Sequence, residues 1–371
     1  MQTVCRSCGK VLSAQYDLVK GKQLTSREWF QSASSTFWNY APFLPVENEE
    51  NVVSLGEERT PVLRLTTVEK ALGISRVLMK DEGHLPTGSF KARGLAMAVS
   101  KAKELGIKAV CMPSAGNAAG ALAAYAARAG IEANIFIPKD TPEINIAECR
   151  AAGAKMELVT GTIADAAALM NQQKKNHPDW FDMSTLKEPY RLEGKKTMGY
   201  ELAVQFDWKL PDVILYPAGG GTGLVGMWKA FGELETLGLI GKERPRMVVV
   251  QSDGCAPIVK AFVEGRADSQ PWPNARTIAS GLRVPKAFAD YMILDALYKS
   301  KGFAVAVADD EIRKTVESVA GDEGLYCCPE GAATVVALRT MVRQGLIHQD
   351  ETVLLFNTAA GNKYPEIMMA R

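Results

Sequence analysis

Residues 86 to 94 read PTGSFKARG, which places one lysine, Lys91, directly after a Gly-Ser turn and at the predicted first position of a helix. A lysine amine captures a carbonyl group only when it is neutral, whereas a free lysine has a pKa of about 10.4. Two features of this position favour the uncharged form: the positive end of the helix dipole and desolvation beside Phe90. That is where an enzyme would hold an aldehyde cofactor. The segment alone is equally compatible with a solvated helix lysine, and other segments shift the balance.

Residues 113 to 120, PSAGNAAG, follow the apolar run AVCM and precede the alanine-rich ALAAYAARAG, so a strand-to-helix turn is expected there. Asn117 on that turn can donate to a cofactor oxygen. Residues 217 to 226, PAGGGTGLVG, follow the strand-like DVILY and open the helical GMWKAFGELETLG. Successive glycine N–H groups at a helix N-terminus form a phosphate cradle. The same loop holds a competing pattern, because GTGLVG at 221 to 226 satisfies G-x-G-x-x-G and a later strand ends in Asp253. In a dinucleotide site the acid follows the glycines by about 20 residues, and here Asp253 lies 27 beyond Gly226. The nucleotide reading also leaves Lys91 and Asn117 without a role.

The order of lysine motif, Ser-Ala-Gly-Asn turn and glycine loop resembles the pyridoxal-phosphate enzymes of fold type II. The flanks resemble threonine synthases in particular: the N-terminal C-x-x-C with Tyr16 after it, WNYAPFLPV, VVSLGEERTPV, PYRLEGKKT at 189 to 197 and FNTAAGNKY at 356 to 364. The resemblance covers nearly the whole chain. It implies an α/β protein of two domains with twisted, mostly parallel sheets flanked by helices, and pyridoxal 5'-phosphate in the interdomain cleft. It also implies that Lys91 carries the cofactor as a Schiff base and moves protons at the substrate carbons, with Phe90 against the cofactor ring. Asn117 would contact the phenolic oxygen, and Gly219, Gly220, Gly221, Thr222 and Gly223 would bind the phosphate. Thr358 would hydrogen-bond the pyridine nitrogen; a hydroxyl there does not hold a proton on the ring, so elimination is favoured over transamination. A homodimer is expected from the family.

Around the substrate the chain departs from this pattern. Threonine synthases usually carry hydroxyl residues near the asparagine turn, and this chain has Ser114 followed by Ala115, Ala118, Ala119 and Ala121. The family's Asp after the lysine is Ala92, and the Asn before the Pro-x-Arg-x-Glu-Gly segment is Glu188. A carboxylate close to a phosphate is repulsive in a shielded site, so these changes point away from a phosphorylated substrate, while Arg191, Lys195 and Lys196 could still supply phosphate contacts. Ser114, Glu188, Arg191 and Lys196 are therefore the candidate substrate-binding residues. Three functions remain open: a threonine synthase making threonine and phosphate from O-phosphohomoserine, which is the best label; a threonine or serine dehydratase or β-replacement enzyme; and a catalytically silent cofactor-binding protein, against which the intact Lys91 argues.

The elements that would position these residues alternate along the chain. AVCMP, ANIFIP and KMELV are strand-like and are separated by helical runs, and the alternation returns with DVILY, RMVVVQ, FAVAV and TVLLF. Such alternation implies parallel sheets flanked by helices, and two series imply two domains with a site in the cleft. The expected division is an irregular N-terminal wrap over 1–50, a large domain of 51–96 plus 205–371, and a smaller domain of 97–204. The 371 residues, 47% hydrophobic, suffice for a large core. With 43 basic and 42 acidic residues and a net charge of +1, there is no general attraction for nucleic acid or anionic membrane. No signal-like or membrane-spanning run is present in the sequence, and a cytoplasmic location is expected. Seven scattered cysteines argue against a disulfide framework. Cys5 and Cys8 lack a second pair nearby, so no metal site is expected; Cys327 and Cys328 read as ordinary packing, and the three histidines share no ligand spacing.

Overall fold

A computed structural model describes residues 3–32 and 36–369. Among the described residues ten strands run in chain order as β1 Val62–Arg64, β2 Arg76–Asp81, β3 Ala109–Pro113, β4 Glu132–Pro138, β5 Lys155–Val159, β6 Phe181–Asp182, β7 Val213–Pro217, β8 Arg246–Ser252, β9 Phe303–Val307 and β10 Thr352–Asn357. They form two sheets, and the residues divide into two compact units. The first comprises Met1–Asp17, Ala33–Glu58 and Leu85–Thr197; the second comprises Leu18–Ser32, Arg59–His84 and Met198–Arg371. The boundary near residue 197 falls inside the helix Tyr190–Gln205.

The first unit holds the four-stranded sheet β5-β4-β3-β6, parallel throughout. Strand β3 and the IFIP half of β4 are continuous apolar runs because both faces are covered, as parallel strands require. Ala109, Cys111 and Phe136 of the sheet pack with Ala166 and Met170 of the helix Ile163–Lys174 and with Trp180. That helix starts with a capping box: Thr162 Oγ1 accepts the Ala164 N–H, and Asp165 accepts the Thr162 N–H.

The second unit holds the six-stranded sheet β1-β2-β10-β7-β8-β9, in which only the short edge strand β1 is antiparallel. Val77, Met79, Val213, Leu215, Val248, Val250, Val353 and Leu355 form one face of its core, against Ala332, Val335 and Leu338 of the helix Pro329–Arg343. Strand β2 escapes a reading of apolar runs because it ends in Lys80 and Asp81, both buried. Burial of Lys80 is compensated by Glu201 at 2.7 Å, Gln205 at 2.8 Å and the Thr60 carbonyl at 2.9 Å. The α/β class and the strand and helix alternation expected from the sequence are found; β1 and β6, three and two residues long, are too short to leave a pattern. Among the described residues no helix is long and apolar enough to cross a membrane.

Candidate active site

In the first unit the turn before Lys91 is set by Gly88, whose φ of +61° is left-handed and favours glycine. The Ala92 N–H then donates to the Ser89 carbonyl at 3.1 Å, and the helix Lys91–Glu104 begins on Lys91 itself. Lys91 is half-buried. Its Nζ lies 4.1 Å from the centroid of the Phe90 ring, and the Nζ of the fully buried Lys195 lies 4.1 Å from the same centroid while donating to the Phe90 carbonyl. The Ser89 hydroxyl, also buried, has no hydrogen-bond partner among the described residues, and it lies two residues before the lysine.

Strand β3 delivers the second candidate segment. Ser114 follows it, and its hydroxyl braces the turn by contacts to the Gly116 carbonyl at 3.3 Å and the Gly116 N–H at 3.4 Å. Asn117 opens the helix Asn117–Ala129, which packs against the Lys91 helix. Ala115, Gly116, Asn117 and Ala118 are all half-buried, whereas Ala119 and Ala121 are buried. Both Lys91 and Asn117 thus stand at helix N-termini of the same unit, where unpaired backbone N–H groups concentrate positive potential.

The remaining first-unit candidates are engaged in holding the unit together. Glu188 Oε2 accepts the N–H groups of Tyr190 at 2.6 Å and Arg191 at 3.0 Å, so it caps the helix Tyr190–Gln205. Its Oε1 is buried without a partner among the described residues, and burial pushes its carboxyl up to about 7, against the pull of Arg191 and the two N–H groups. Arg191 Nη1 donates to the Met183 carbonyl at 2.7 Å and contacts Thr185 Oγ1 at 3.3 Å. Lys196 pairs with Glu193 at 2.8 Å, donates to the Phe43 carbonyl at 2.6 Å and lies 3.9 Å from the centre of the Tyr16 ring. Glu193, one helical turn before Lys196, and Tyr16 are its partners in this cluster; Tyr16 comes from far away in the chain, so spacing could not single out its contact with Lys196.

In the second unit β7 and β10 are adjacent and parallel, with Leu355 opposite Leu215. Their C-terminal ends therefore release two candidate segments side by side: the glycine loop and Thr358. In open parallel sheets ligands bind at these ends. The loop runs from Gly219 to Gly221, the last being left-handed at φ +67°, and the helix Thr222–Thr236 starts behind it. A Cβ on Gly219 would strike the Gly281 carbonyl oxygen, one on Gly221 the Ile293 side chain and one on Gly223 the Tyr216 hydroxyl. The backbone at these three glycines is consequently packed as tightly as positions without side chains allow, and the helix N-terminus follows directly. Thr358 is buried. Beside it lies a network invisible in the sequence: Cys328, Asn357 and Asp81, linked by hydrogen bonds.

Taken unit by unit, the chemistry suits pyridoxal phosphate: the second unit has a glycine-lined helix N-terminus of the kind that takes a phosphate and a buried hydroxyl just past β10, and the first has a lysine at the head of a helix. A family model described as pyridoxal-phosphate dependent enzyme matches residues 53–359, and the chain belongs to that family. Pyridoxal 5'-phosphate is its cofactor, and its fold is that of the fold type II members. Within the family its relatives include the threonine synthase of Methanocaldococcus jannaschii, 36% identical over 97% of this chain and 88% of that one. The threonine synthase of Methanosarcina acetivorans is 35% identical over 98% of this chain and 89% of that one. Among solved structures, maize serine racemase superposes with a TM-score of 0.73 at 19% identity, over 97% of each chain. The processed form of threonine deaminase isoform 2 from Solanum lycopersicum superposes with a TM-score of 0.72 at 20% identity, over 98% of each. These likenesses define the fold; the threonine synthases are the closer guide to chemistry.

Proposed function

We propose that this chain is a threonine synthase, converting O-phosphohomoserine and water to threonine and phosphate. The observation that carries the reading is Lys91 as the first residue of its helix, in a chain more than a third identical to a threonine synthase over nearly its full length. Pyridoxal phosphate, when bound, supplies an electron sink for negative charge at the α-carbon of an amino acid. Lys91 would hold the cofactor covalently, give it up to the substrate amine and then move protons at the substrate's α- and β-carbons. The backbone N–H groups of Gly219, Gly220, Gly221, Thr222 and Gly223 would hold the cofactor phosphate, Asn117 its phenolic oxygen, Phe90 one face of its ring and Thr358 its ring nitrogen. Ser114 is proposed to face the substrate. Glu188, Arg191 and Lys196 would shape the substrate pocket from the positions they take as cap, clamp and ion pair. The division of chemistry between a small and a large α/β domain, a homodimer and a cytoplasmic location belong to the same reading; seven free thiols support the last.

A second reading is favoured by specific observations. Arg191 and Lys196 are both occupied by protein partners, and Ala115 and Ala118 offer no donor; a pocket short of phosphate ligands suits a dehydratase or β-replacement enzyme using an unphosphorylated amino acid. One experiment separates the readings. The purified protein is offered O-phosphohomoserine, threonine, serine and phosphoserine, with release of phosphate, ammonia and keto acid measured. Threonine formed from O-phosphohomoserine supports the first, and keto acid from threonine or serine alone supports the second. Borohydride reduction of the holoenzyme should fix the cofactor on the peptide containing Lys91, and Lys91→Ala should lose that adduct with nearly all turnover. An adduct on another lysine would refute the assignment.

A further inference from the structure

We propose that Cys5 and Cys8 are a redox modification site: an accessible dithiol that small disulfides oxidise to an intramolecular bridge, with Cys5 as the attacking thiol and Cys8 as the resolving one. The pair lies in the first unit, on a C-x-x-C-G turn that the backbone itself builds. The Gly9 N–H donates to the Cys5 carbonyl at 2.8 Å, and the Cys5 N–H donates to the Lys10 carbonyl at 2.9 Å. Gly9 closes the turn in the left-handed region at φ +69°, with open space where its Cβ would stand, so glycine serves the backbone angle there and not the packing. Residues three apart on such a turn are neighbours, and the two thiols are in hydrogen-bonding contact. Bridging them calls for side-chain rotation and little backbone movement. No residue of the turn is among those assigned above to cofactor or substrate.

The turn also sorts the two sulfurs. The backbone N–H groups of Cys8 and Ser7 point at the Cys5 sulfur, and together with the Cys8 thiol they hold the Cys5 thiol below its ordinary value. Such donors stabilise the thiolate, which is the form that attacks a disulfide. Cys5 is half-buried, and Arg6, Ser7 and Cys8 are exposed, so a small reagent reaches both sulfurs. The remaining cysteines, Cys111, Cys149, Cys255, Cys327 and Cys328, are all buried. Burial pushes the thiols of Cys111 and Cys327 up to about 12 and raises those of Cys255 and Cys328. Thiols of that kind are shielded and protonated at neutral pH, so the oxidisable sulfur of this protein is concentrated in one turn.

The reaction balances with a small disulfide, RSSR, as oxidant. The Cys5 thiolate attacks one of its sulfurs, forming a Cys5–SR bond and releasing RS⁻. Cys8 then loses its proton to solvent and attacks the Cys5 sulfur, forming the Cys5–Cys8 bond and releasing the second RS⁻. The cysteine pair gives up two electrons, and RSSR is reduced to two thiols. An excess of free thiol runs the same steps backwards, so the modification is reversible.

Thiol mapping of the purified protein tests this. Its zinc content is measured first; the protein is then held at neutral pH in mixtures of reduced and oxidised glutathione, quenched with acid, alkylated and read by intact mass and peptide mapping. The native protein should lose the Cys5 and Cys8 thiols together to one bridge between them, retain no glutathione, and keep its buried cysteines unalkylated until it is denatured. Cys8→Ser should stop with glutathione on Cys5. Cys5→Ser should take up glutathione on Cys8 roughly three to ten times more slowly than Cys8→Ser does on Cys5, because attack depends on the thiolate. Both variants change a single sulfur on an accessible turn held by backbone hydrogen bonds, so the fold is retained. Glutathione remaining on Cys5 of the native protein, a bridge between other cysteines, or equal rates in the two variants overturns the proposal. Zinc held by the two thiols and blocking their alkylation overturns it as well, since the pair would then be metal ligands.

Discussion

Replacing Glu188 by glutamine should make the protein more stable at alkaline pH and flatten its stability profile. The carboxyl is fully buried, with one oxygen accepting two helix N–H groups and the other unpartnered. Burial raises it from 4.5 to about 7 in the folded chain. A raised folded-state value means that the folded protein binds this proton more tightly than the unfolded chain does. Stability from this group is thus complete below about pH 4.5 and is lost as pH rises through about 7. At 1.36 kcal/mol per unit, the loss is on the order of 3 kcal/mol. Glutamine keeps an oxygen for the Tyr190 and Arg191 N–H groups and never ionises, although it gives up the stronger bonds of a charged acceptor. Urea unfolding at intervals from pH 5 to 8.5, followed by tryptophan fluorescence, would give the difference between Glu188→Gln and the native protein. That difference should grow in favour of glutamine by about 2–3 kcal/mol between pH 5 and 8. A difference independent of pH would show that Glu188 titrates normally, and the account of it as a buried, half-satisfied cap would be wrong.

Other outcomes follow from the same geometry. Gly220→Asp puts a carboxylate on the loop proposed to hold the cofactor phosphate, so cofactor retention in equilibrium dialysis should fall at least tenfold, whereas NAD and NADP should bind neither form. Glu201→Leu leaves Lys80 buried without its carboxylate, and stability should drop by about 3–5 kcal/mol, with most of it recovered in Lys80→Met/Glu201→Leu. Ala115→Thr with Ala118→Thr adds two hydroxyls on the half-buried turn at Asn117; turnover of O-phosphohomoserine should rise relative to that of serine, and an unchanged ratio would remove these alanines from substrate selection.

Much of this protein is determined by local order in the chain. The Gly-Ser turn ahead of Lys91 and the Gly221 turn ahead of Thr222 are written in residues whose backbone preferences act within a few positions. The runs AVCMP and TVLLF are strands because a parallel sheet covered on both faces needs continuous apolar residues. Tertiary structure alone decided what the charged and polar side chains touch. Glu188 reads in sequence as a charge that repels phosphate, yet in the fold its carboxylate caps a helix and burial shifts its titration. Lys80 breaks the apolar pattern of β2 until Glu201, 121 residues later, meets it. Cys328 becomes a neighbour of Thr358 only because β10 lies beside β2 and Asn357 can bridge Asp81 to the thiol. Backbone propensity and apolar periodicity act over a few residues and survive in the linear order. Hydrogen bonds between buried polar groups are made across the sheet, between residues whose separation in the chain carries no trace of their contact.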